Sequence, residues 1–282
     1  MPQKLGPRAL VIGGSIAGLM TARVLSDHFD QVTIFERDQL DDGPGIHKSI
    51  PQGNHVHALL GGGEQIMNSL FPGFGVELEK LGAVPWRAGC DAVFYSPSGK
   101  SYNLTGSVRE PRDLGLVGHV MSRGLLEYAL RRRAAALPNV TLQMGSAVEE
   151  LSHESGLVTG VRVRSGDNYE TVAADLVVDA GGRGSRAERW LGAMGIPAPE
   201  ETTIGVDFAY TSTKYKKPTS AKGLEPIILV GGPPPKYTSG ALLEEIENQE
   251  WHLSVAGRFG QYPPTDEKGF LEFVKALPSP II

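Results

Sequence analysis

Hydrophobic positions at the start of the chain predict a strand, a helix and a second strand. Residues 8–12, RALVI, form a short apolar run, and apolar residues then recur from Ile16 to Val24 at the spacing of one helix face. Residues 31–36, QVTIFE, are β-branched and aromatic, which is typical of a strand. This order of elements predicts two parallel neighbouring strands joined by a right-handed crossover.

Farther along, the hydrophobic pattern changes from one element type to another. Residues 38–63 have no period and are predicted to form a long loop. Helices are predicted at 64–71, 76–82, 123–136 and 266–277, a hairpin at 92–104, and strands at 203–215, 225–232 and 251–259. Ser122 is the expected N-cap of the helix that begins at 123. The basic run RRR, residues 131–133, is predicted to be a solvated face of that helix.

Alternating segments in the middle of the chain predict an antiparallel meander. They cover residues 140–154, 157–164 and 169–180, and the last of them enters a second glycine loop, GGRGSR, at 181–186. The chain therefore predicts an α/β fold whose Rossmann-like domain contains an inserted β-meander.

The predicted domains are discontinuous along the chain. The Rossmann-like domain is expected to comprise residues 1–84 and 105–200. A mostly β substrate domain, α+β in class, is expected to comprise residues 85–104 and 201–282.

Composition and charge narrow the class of function. Hydrophobic residues make up 40% and charged residues 21% of the 282 residues, as in ordinary globular proteins. A net charge of −5 without a block of like charges argues against nucleic-acid binding and against a polybasic membrane surface. No apolar run reaches the roughly 18 residues of a membrane span. Cys90 is the single cysteine, so we expect a reducing compartment, the cytoplasm.

The first glycine loop has the features of an anion site. It lies between a strand and a helix, where unpaired N–H groups and the helix dipole attract phosphate. Gly13 is expected to make the tight turn, and Gly18 to let the helix pack on its strand. Ser15 replaces the usual second glycine, and its hydroxyl is expected to donate to a phosphate oxygen. The alternative interpretation is that these glycines only terminate a strand.

Glu36 favours the nucleotide interpretation. It ends the second strand, 18 residues after Gly18, where a carboxylate accepts hydrogen bonds from ribose hydroxyls and repels a 2′-phosphate. The loop alone does not distinguish NAD from FAD, because both contain adenosine diphosphate. The inserted meander argues against a plain NAD-binding fold.

Five segments together resemble the FAD-dependent aromatic hydroxylase and epoxidase family, whose fold is best known from para-hydroxybenzoate hydroxylase. They are VIGGSIAGL (11–19), VTIFERD (32–38), PQGNHVHALL (51–60), SRGLLEYALRRR (122–133) and DLVVDAGGRGSRAERWL (175–191). The resemblance covers essentially the whole chain. The stretch at 51–60 and the closing PPTDEKGFLEFVKALPSP are most similar to bacterial FAD-dependent oxidoreductases near the polyether alkene epoxidases.

The resemblance implies a set of FAD-binding residues. These are Gly13, Gly14, Ser15, Ala17 and Gly18 at the pyrophosphate, Glu36 at the ribose with Arg37 beside it, Arg123, and Asp179, Gly182 and Arg183 in the second glycine loop. Arg123 has separate support, because a cation in the first turn of a helix opposes the helix dipole unless a phosphate lies nearby.

His55 and His57 allow two interpretations. An HxH pair on a strand points both rings the same way, as zinc ligands do, but no carboxylate or cysteine lies at matching spacing. We therefore predict no metal site. The preferred interpretation is a loop beside the flavin in which Gln52, His55 and His57 line the active site.

The function implied is that of a flavoprotein monooxygenase, an oxidoreductase. NAD(P)H would reduce FAD transiently, and one oxygen atom of O₂ would pass to an electron-rich ring or alkene of a small hydrophobic substrate. The aromatic residues expected to form its dry pocket are Trp86, Phe94, Tyr95, Phe208, Tyr210 and Trp251.

Two alternatives stay open. One is an FAD-dependent dehydrogenase or reductase of the same fold. The other is an inactive truncated flavoprotein, because the glycine-aspartate segment that follows in relatives is not found in residues 187–282. On that interpretation a second polypeptide would supply the missing segment.

Overall fold

The computed structural model describes residues 3–45 and 50–282. These residues form two compact units. The first unit comprises the described residues of 1–49 together with Glu127–Thr203, and the second comprises Ile50–Leu126 and Ile204–Ile282. The loop predicted at 38–63 includes residues 46–49, which lie outside the described residues.

Sixteen strands and six α-helices form within the described residues. The strands are β1 (Gly6–Ile12), β2 (Phe29–Phe35), β3 (Ala58–Leu59), β4 (Val84–Arg87), β5 (Ala92–Ser96), β6 (Gly99–Ser101), β7 (Val117–Val120), β8 (Val140–Gln143), β9 (Ser146–Glu154), β10 (Leu157–Ser165), β11 (Asn168–Ala173), β12 (Leu176–Asp179), β13 (Phe208–Lys216), β14 (Ile227–Val230), β15 (Ser239–Ile246) and β16 (Glu250–Arg258). The helices are α1 (Ile16–His28), α2 (Gly61–Leu70), α3 (Phe74–Lys80), α4 (Arg123–Ala135), α5 (Ala187–Ala193) and α6 (Glu267–Lys275). The predicted loop is wrong at its C-terminal end, where a 3₁₀ turn at Pro51–Asn54, then β3 and the start of α2, occupy the chain.

The first unit contains a parallel sheet in the order β12-β1-β2-β8. The central strand β1 is apolar because it is covered on both faces, and Ala9, Leu10 and Val11 are fully buried. Helix α1 connects β1 to β2 and buries Leu19 and Ala22. The predicted strand, glycine turn, helix and strand are therefore confirmed.

A separate antiparallel sheet, β11-β10-β9, is the predicted meander. Val148, Val161 and Val163 project from it into a core with Leu10 and Trp190. The prediction of a single strand at 140–154 is wrong. The segment is two strands, because β8 pairs with β2 in the parallel sheet and the chain turns at Gly145, where φ is +65°, before β9.

The second unit is built on a six-stranded sheet in the order β13-β16-β15-β14-β5-β6. All its neighbours are antiparallel except β14 and β5. One face packs on α6 through Phe270 and through Leu277, which follows that helix, against Val93, Ile228 and Val255. Asp266 caps α6, since its carboxylate accepts the N–H of Gly269 at 2.9 Å.

A second, three-stranded sheet in the order β3-β7-β4 belongs to the same unit. Its pairing, and the packing of α2 on β7, join residues 50–84 and 105–126 to the second unit. The sequence assigns these residues to the nucleotide-binding domain. The compact units therefore divide at other positions than the predicted domains, and the functional division into domains stays a prediction.

Helix α4 begins where expected, and the oxygen Oγ of Ser122 accepts the N–H of Leu125 at 3.2 Å. The predicted solvated face at 131–133 is wrong for Arg131, which is only 8% exposed. Its guanidinium donates to the carbonyls of Asp41 at 3.3 Å and Gly43 at 2.9 Å, which anchors the loop after β2 to the helix.

Candidate functional site

The two glycine loops of the first unit leave neighbouring strands at the same edge of the parallel sheet. Ile12 at the end of β1 pairs with Phe35 on one side and with Asp179 on the other. The carboxyl ends of parallel strands form the usual binding crevice of such sheets. The register therefore brings the residues predicted at the first and second loops together.

Gly13 occupies a position that only glycine fits. Its φ is +100°, and a Cβ there would lie 2.7 Å from the carbonyl oxygen of Ala180. The N–H of Gly13 donates to the carbonyl of Phe35 at 2.8 Å, which closes the turn against β2.

Gly14 and Gly18 keep the rest of the turn narrow. A Cβ on Gly18 would lie 1.8 Å from the carbonyl oxygen of Gly13, so no side chain fits between helix and turn. A Cβ on Gly14 would lie 2.9 Å from the Cβ of Glu36. The two glycines thus let the turn pack closely on Glu36 and on the start of α1, as in the glycine turns that bind a pyrophosphate.

Ser15 stands at the N-cap position of α1, but its side chain does not cap the helix. Its hydroxyl Oγ instead forms a short hydrogen bond with Oε1 of Glu127, whose carboxylate is only 1% exposed. The expected donation to a phosphate therefore has a competitor. The Ser15 hydroxyl carries a single proton, and a buried carboxylate is a strong acceptor for it.

Glu36 is only 4% exposed and is held by the backbone. Its Oε2 accepts the N–H of Gly14 at 2.7 Å, and its Oε1 accepts the N–H of Asp38 at 2.8 Å. These two hydrogen bonds fix the carboxylate beside the glycine turn, at the end of β2 where the resemblance implies a ribose.

The second glycine loop is shaped by Asp179. Its two carboxylate oxygens accept the N–H of Gly181 at 2.7 Å and the hydroxyl of Ser185 at 2.6 Å. Gly182 takes a φ of +58° in this loop. The guanidinium of Arg37 lies beside this loop, 3.4 Å from the position that a Cβ on Gly184 would occupy. Asp179 thus stabilises the conformation of the loop. Its contact with a cofactor stays a prediction.

The first unit brings together most of the predicted cofactor residues. These are Gly13, Gly14, Ser15, Ala17, Gly18, Glu36, Arg37, Asp179, Gly182 and Arg183. Arg123 belongs to the second unit, where it lines a cavity with Gln52, His55 and His57.

This cavity of the second unit has a volume of about 530 Å³. Its floor is the face of the six-stranded sheet opposite α6, and the segment Gln52–His57 forms another wall. The other residues that line it are Arg123, Phe208, Tyr210, Leu229, Val230, Gly231, Tyr237, Thr238, Ser239, Gly240, Ala241, Leu242, Ser254, Ala256 and Arg258. Cavities of this size accept small organic ligands.

A row of polar side chains on the sheet holds the segment Gln52–His57. His252 contacts the carbonyl of Asn54 through Nε2 at 3.1 Å. Glu244 accepts the N–H of His57 at 2.9 Å, and Ser254 accepts the N–H of Val56 at 3.5 Å. His252 and Ser254 share one face of β16, and Glu244 is the partner of His252 on β15. The sheet thereby sets the position of the two predicted histidines.

His55 is part of a hydrogen-bonded chain. Its Nδ1 lies 2.7 Å from the hydroxyl of Ser212, which in turn bonds the hydroxyl of Ser254. The ring packs edge-on against Tyr210 with centroids 4.4 Å apart. Burial lowers the pKa of His55, so the ring is neutral at neutral pH. A neutral imidazole that is bonded to a hydroxyl through one ring nitrogen can exchange a proton with a ligand through the other.

Glu244 and His252 are each 1% exposed. Burial shifts their pKa values in opposite directions. Burial raises the pKa of Glu244 to about 7, although the N–H of His57 opposes this. Burial lowers the pKa of His252 to about 4, and the hydrogen bond to Asn54 opposes that. The Nδ1 atom of His252 is buried without a hydrogen-bond partner. Near neutral pH His252 is uncharged, while Glu244 is close to its midpoint.

The expected aromatic pocket is correct for two residues only. Phe208 and Tyr210 line the cavity. Trp251 packs in the core against α6, because it is adjacent to His252 on β16 and its side chain therefore lies on the opposite face of the sheet. Trp86 lies in the three-stranded sheet on β4. Phe94 and Tyr95 lie on β5 and are not part of the cavity wall.

Two negative observations apply to the described ranges 3–45 and 50–282. No three His, Cys, Asp or Glu side chains are grouped to hold a metal ion. None of the helices combines the length and apolarity needed to cross a bilayer.

No protein-family model matches the chain. Protein Rv3254 of Mycobacterium tuberculosis is 33% identical to it over 263 residues, which cover 91% of this chain and 54% of that protein. The chain thus spans about half the length of this curated relative.

Solved structures share the fold at low identity. A triple mutant of the flavin-dependent brominase Bmp2 matches with a TM-score of 0.67 at 15% identity, over 95% of this chain and 61% of the other. PqsL of Pseudomonas aeruginosa, described as a probable FAD-dependent monooxygenase, matches with a TM-score of 0.64 at 15% identity, over 90% and 61%. The chain spans about three fifths of each of these proteins.

Proposed function

We propose that this chain, which has the fold of flavin-dependent monooxygenases and halogenases, binds FAD and acts as a monooxygenase. It transfers one oxygen atom of O₂ to an electron-rich aromatic ring or alkene, with NAD(P)H as the transient electron donor. The observation that carries the proposal is the glycine turn before α1, in which no side chain fits at Gly13 or Gly18.

The residues of the first unit fit the adenosine diphosphate half of FAD. The N–H groups at the start of α1 hold the pyrophosphate, and Glu36 accepts hydrogen bonds from the ribose hydroxyls. Asp179, Gly182 and Arg183 lie at the end of β12 and in the second glycine loop, and Arg37 follows β2 at the same sheet edge. Bound FAD supplies the capacity to accept electrons from NAD(P)H and to activate O₂.

The residues of the second unit fit the handling of a substrate. The walls around Phe208, Tyr210 and Leu229 are apolar and exclude water from a bound molecule. Ser212 holds the Nδ1 atom of His55, so the Nε2 atom is the one that exchanges a proton with the substrate. Gln52 and His57 orient the substrate from the same wall.

A spectroscopic experiment tests the cofactor. The purified 282-residue chain is titrated with FAD, and bound flavin is followed by its visible absorption and by quenching of its fluorescence. We expect saturable binding of one FAD per chain and weaker binding of NADPH, because Glu36 repels a 2′-phosphate. Failure of FAD to bind at any concentration tested contradicts the proposal.

A reaction with labelled oxygen tests the chemistry. The FAD-loaded chain is reduced by NADH or NADPH without air, and ¹⁸O₂ is then admitted with phenols and alkenes. We expect product that contains one ¹⁸O atom. Flavin reoxidation without labelled product, together with reduction or desaturation of a substrate, favours the dehydrogenase or reductase alternative. Both experiments use the 282-residue chain without a second polypeptide.

A further inference from the structure

Arg131 is the buried residue of the basic run in α4. Burial lowers its pKa from the usual value for arginine, although the carboxylates of Glu127 and Asp42 oppose this shift. Within residues 3–45 and 50–282, no carboxylate forms an ion pair with Arg131, and its Nη1 atom is buried without a hydrogen-bond partner. A buried charge with incomplete partners lowers the stability of a fold. The role of this arginine therefore lies in the contacts that its guanidinium does make.

Those contacts are with the backbone of the loop after β2. The Nη2 atom of Arg131 donates to the carbonyl of Gly43 at 2.9 Å and to that of Asp41 at 3.3 Å. The loop begins directly after Glu36, whose Oε1 atom accepts the N–H of Asp38 at 2.8 Å. Glu36 therefore fixes the first residues of the loop, and Arg131 fixes residues farther from the strand.

Helix α4 contacts both parts of the candidate nucleotide site. Glu127 lies four residues before Arg131, on the same face of the helix. It forms a hydrogen bond with the hydroxyl of Ser15 in the glycine turn, whereas Arg131 holds the loop after Glu36. In dinucleotide-binding folds the turn faces the pyrophosphate, and the carboxylate at the end of the second strand faces the ribose. One face of α4 therefore supports both segments of the site that the proposed function assigns to FAD.

We infer that Arg131 is a positioning residue for an adenine nucleotide. By binding the carbonyls of Asp41 and Gly43, it fixes the loop after Glu36 in the conformation that receives adenosine. The inference rests on the proposed function and adds a residue to the same site. Without this anchor the loop samples other conformations, and the affinity for a nucleotide falls with the fraction of chains whose loop is in place.

Substitution of Arg131 by methionine tests the inference. Methionine is apolar and unbranched, so Arg131→Met removes the buried charge and both hydrogen bonds to the loop. Binding of AMP and of FAD to the 282-residue chain is measured by calorimetry, and stability is measured by denaturant unfolding. We expect both ligands to bind about tenfold more weakly, because fewer chains have the loop in place. The midpoint of unfolding should not fall, because an apolar side chain replaces a buried charge.

Two further variants separate the anchor from other effects of the substitution. Arg131→Lys keeps a charge that can donate to the same carbonyls, and it should bind both ligands within about threefold of the wild type. Arg162→Met is the matched control, because it removes an exposed arginine of the same unit. It should change neither affinity.

Hydrogen exchange measures the loop directly. Without ligand, the peptide that covers residues 38–45 should exchange faster in Arg131→Met than in the wild type, and AMP should slow its exchange in the wild type. Three outcomes overturn the inference: wild-type affinity for AMP and FAD in Arg131→Met, a midpoint of unfolding that falls in both Arg131 variants, or no protection of this peptide by AMP in the wild type.

The two ligands distinguish this inference from the proposed function. A wild-type chain that binds AMP in an Arg131-dependent way but binds no FAD retains the inference and contradicts the proposed function. A chain that binds FAD equally well as wild type and as Arg131→Met retains the proposed function and contradicts the inference. A wild-type chain that binds neither ligand contradicts both.

Discussion

The glycine turn of the first unit and the polar row of the second unit position the candidate ligand-binding groups by opposite means. The turn works through missing side chains, because Gly13 and Gly18 lie where any Cβ would overlap a carbonyl oxygen. The row works through side chains that are present, because Glu244, Ser254 and His252 contact the backbone of the segment Gln52–His57. Steric exclusion by the backbone does not depend on pH, whereas the charge of a buried acid or imidazole does. The two regions should therefore fail in different ways.

The largest effect is expected from Gly18→Ala. The new Cβ would lie 1.8 Å from the carbonyl oxygen of Gly13, so the turn must move. We expect about 3 kcal/mol or more of lost stability and a chain that does not bind FAD. Denaturant unfolding and flavin titration measure both quantities.

Gly62→Ala is the matched control, since Gly62 is an exposed residue of α2 and a Cβ there meets nothing within 4 Å. It should stabilise the chain by roughly 0.5–1 kcal/mol through helix propensity. An FAD-binding Gly18→Ala variant of unchanged stability would remove the steric basis of the comparison.

These two regions also differ in how far the sequence predicts them. Gly13, Gly18 and Glu36 lie within 24 residues of one another, so their spacing carries the signal. Glu244 lies 187 residues from His57, the residue that it holds. No spacing rule connects them.

The missed strand β15 explains why the row was not predicted. Its sequence, SGALLEEI, is rich in Ala, Leu and Glu, which favour a helix, and its hydrophobic pattern predicts no strand there. Pairing with β14 on one side and β16 on the other overrides this preference. On β16 itself, His252 and Ser254 recur with period two. This pattern marks a polar face, but it does not say what the face contacts.

Glu244→Gln should change how stability depends on pH. The folded-state pKa of Glu244 is raised by burial to about 7, from an ordinary value of 4.5, so the folded state binds the proton more tightly. Stability contributed by the protonated carboxyl is complete below pH 4.5 and is lost as pH rises towards 7. At about 1.4 kcal/mol per pH unit, the wild type should lose about 3 kcal/mol relative to the variant over this interval.

Denaturant unfolding at several pH values measures this difference. Glutamine keeps an oxygen that accepts the N–H of His57, so the segment Gln52–His57 should stay in place in the variant. A difference between wild type and variant that does not vary from pH 4.5 to 7 would show that Glu244 titrates normally.

His252→Asn should change the pH dependence of stability in the opposite direction to Glu244→Gln. Burial lowers the folded-state pKa of His252 to about 4, from an ordinary value of 6.5, so the unfolded state binds the proton more tightly. The wild type should therefore gain up to about 3 kcal/mol relative to the variant as pH rises from 4 to 6.5. Between pH 4.5 and 6.5 the slopes of Glu244 and His252 oppose each other. Each single variant should thus be more pH-dependent than the wild type, which unfolding curves can check.

The smallest effect is expected at Ser15, where the first region uses a side chain. Ser15→Gly restores the usual glycine and removes the hydroxyl that bonds Glu127. We expect a loss of about 1 kcal/mol in stability, because a buried carboxylate loses one hydrogen-bond donor. FAD affinity should change less than about threefold, since the backbone N–H groups and not the hydroxyl hold the pyrophosphate. Ser15→Ala separates the lost hydroxyl from the gained flexibility of glycine. A drop in FAD affinity of tenfold or more in both variants, measured by flavin titration, would instead make the Ser15 hydroxyl a ligand of the phosphate. The first region would then depend on a side chain, as the second does.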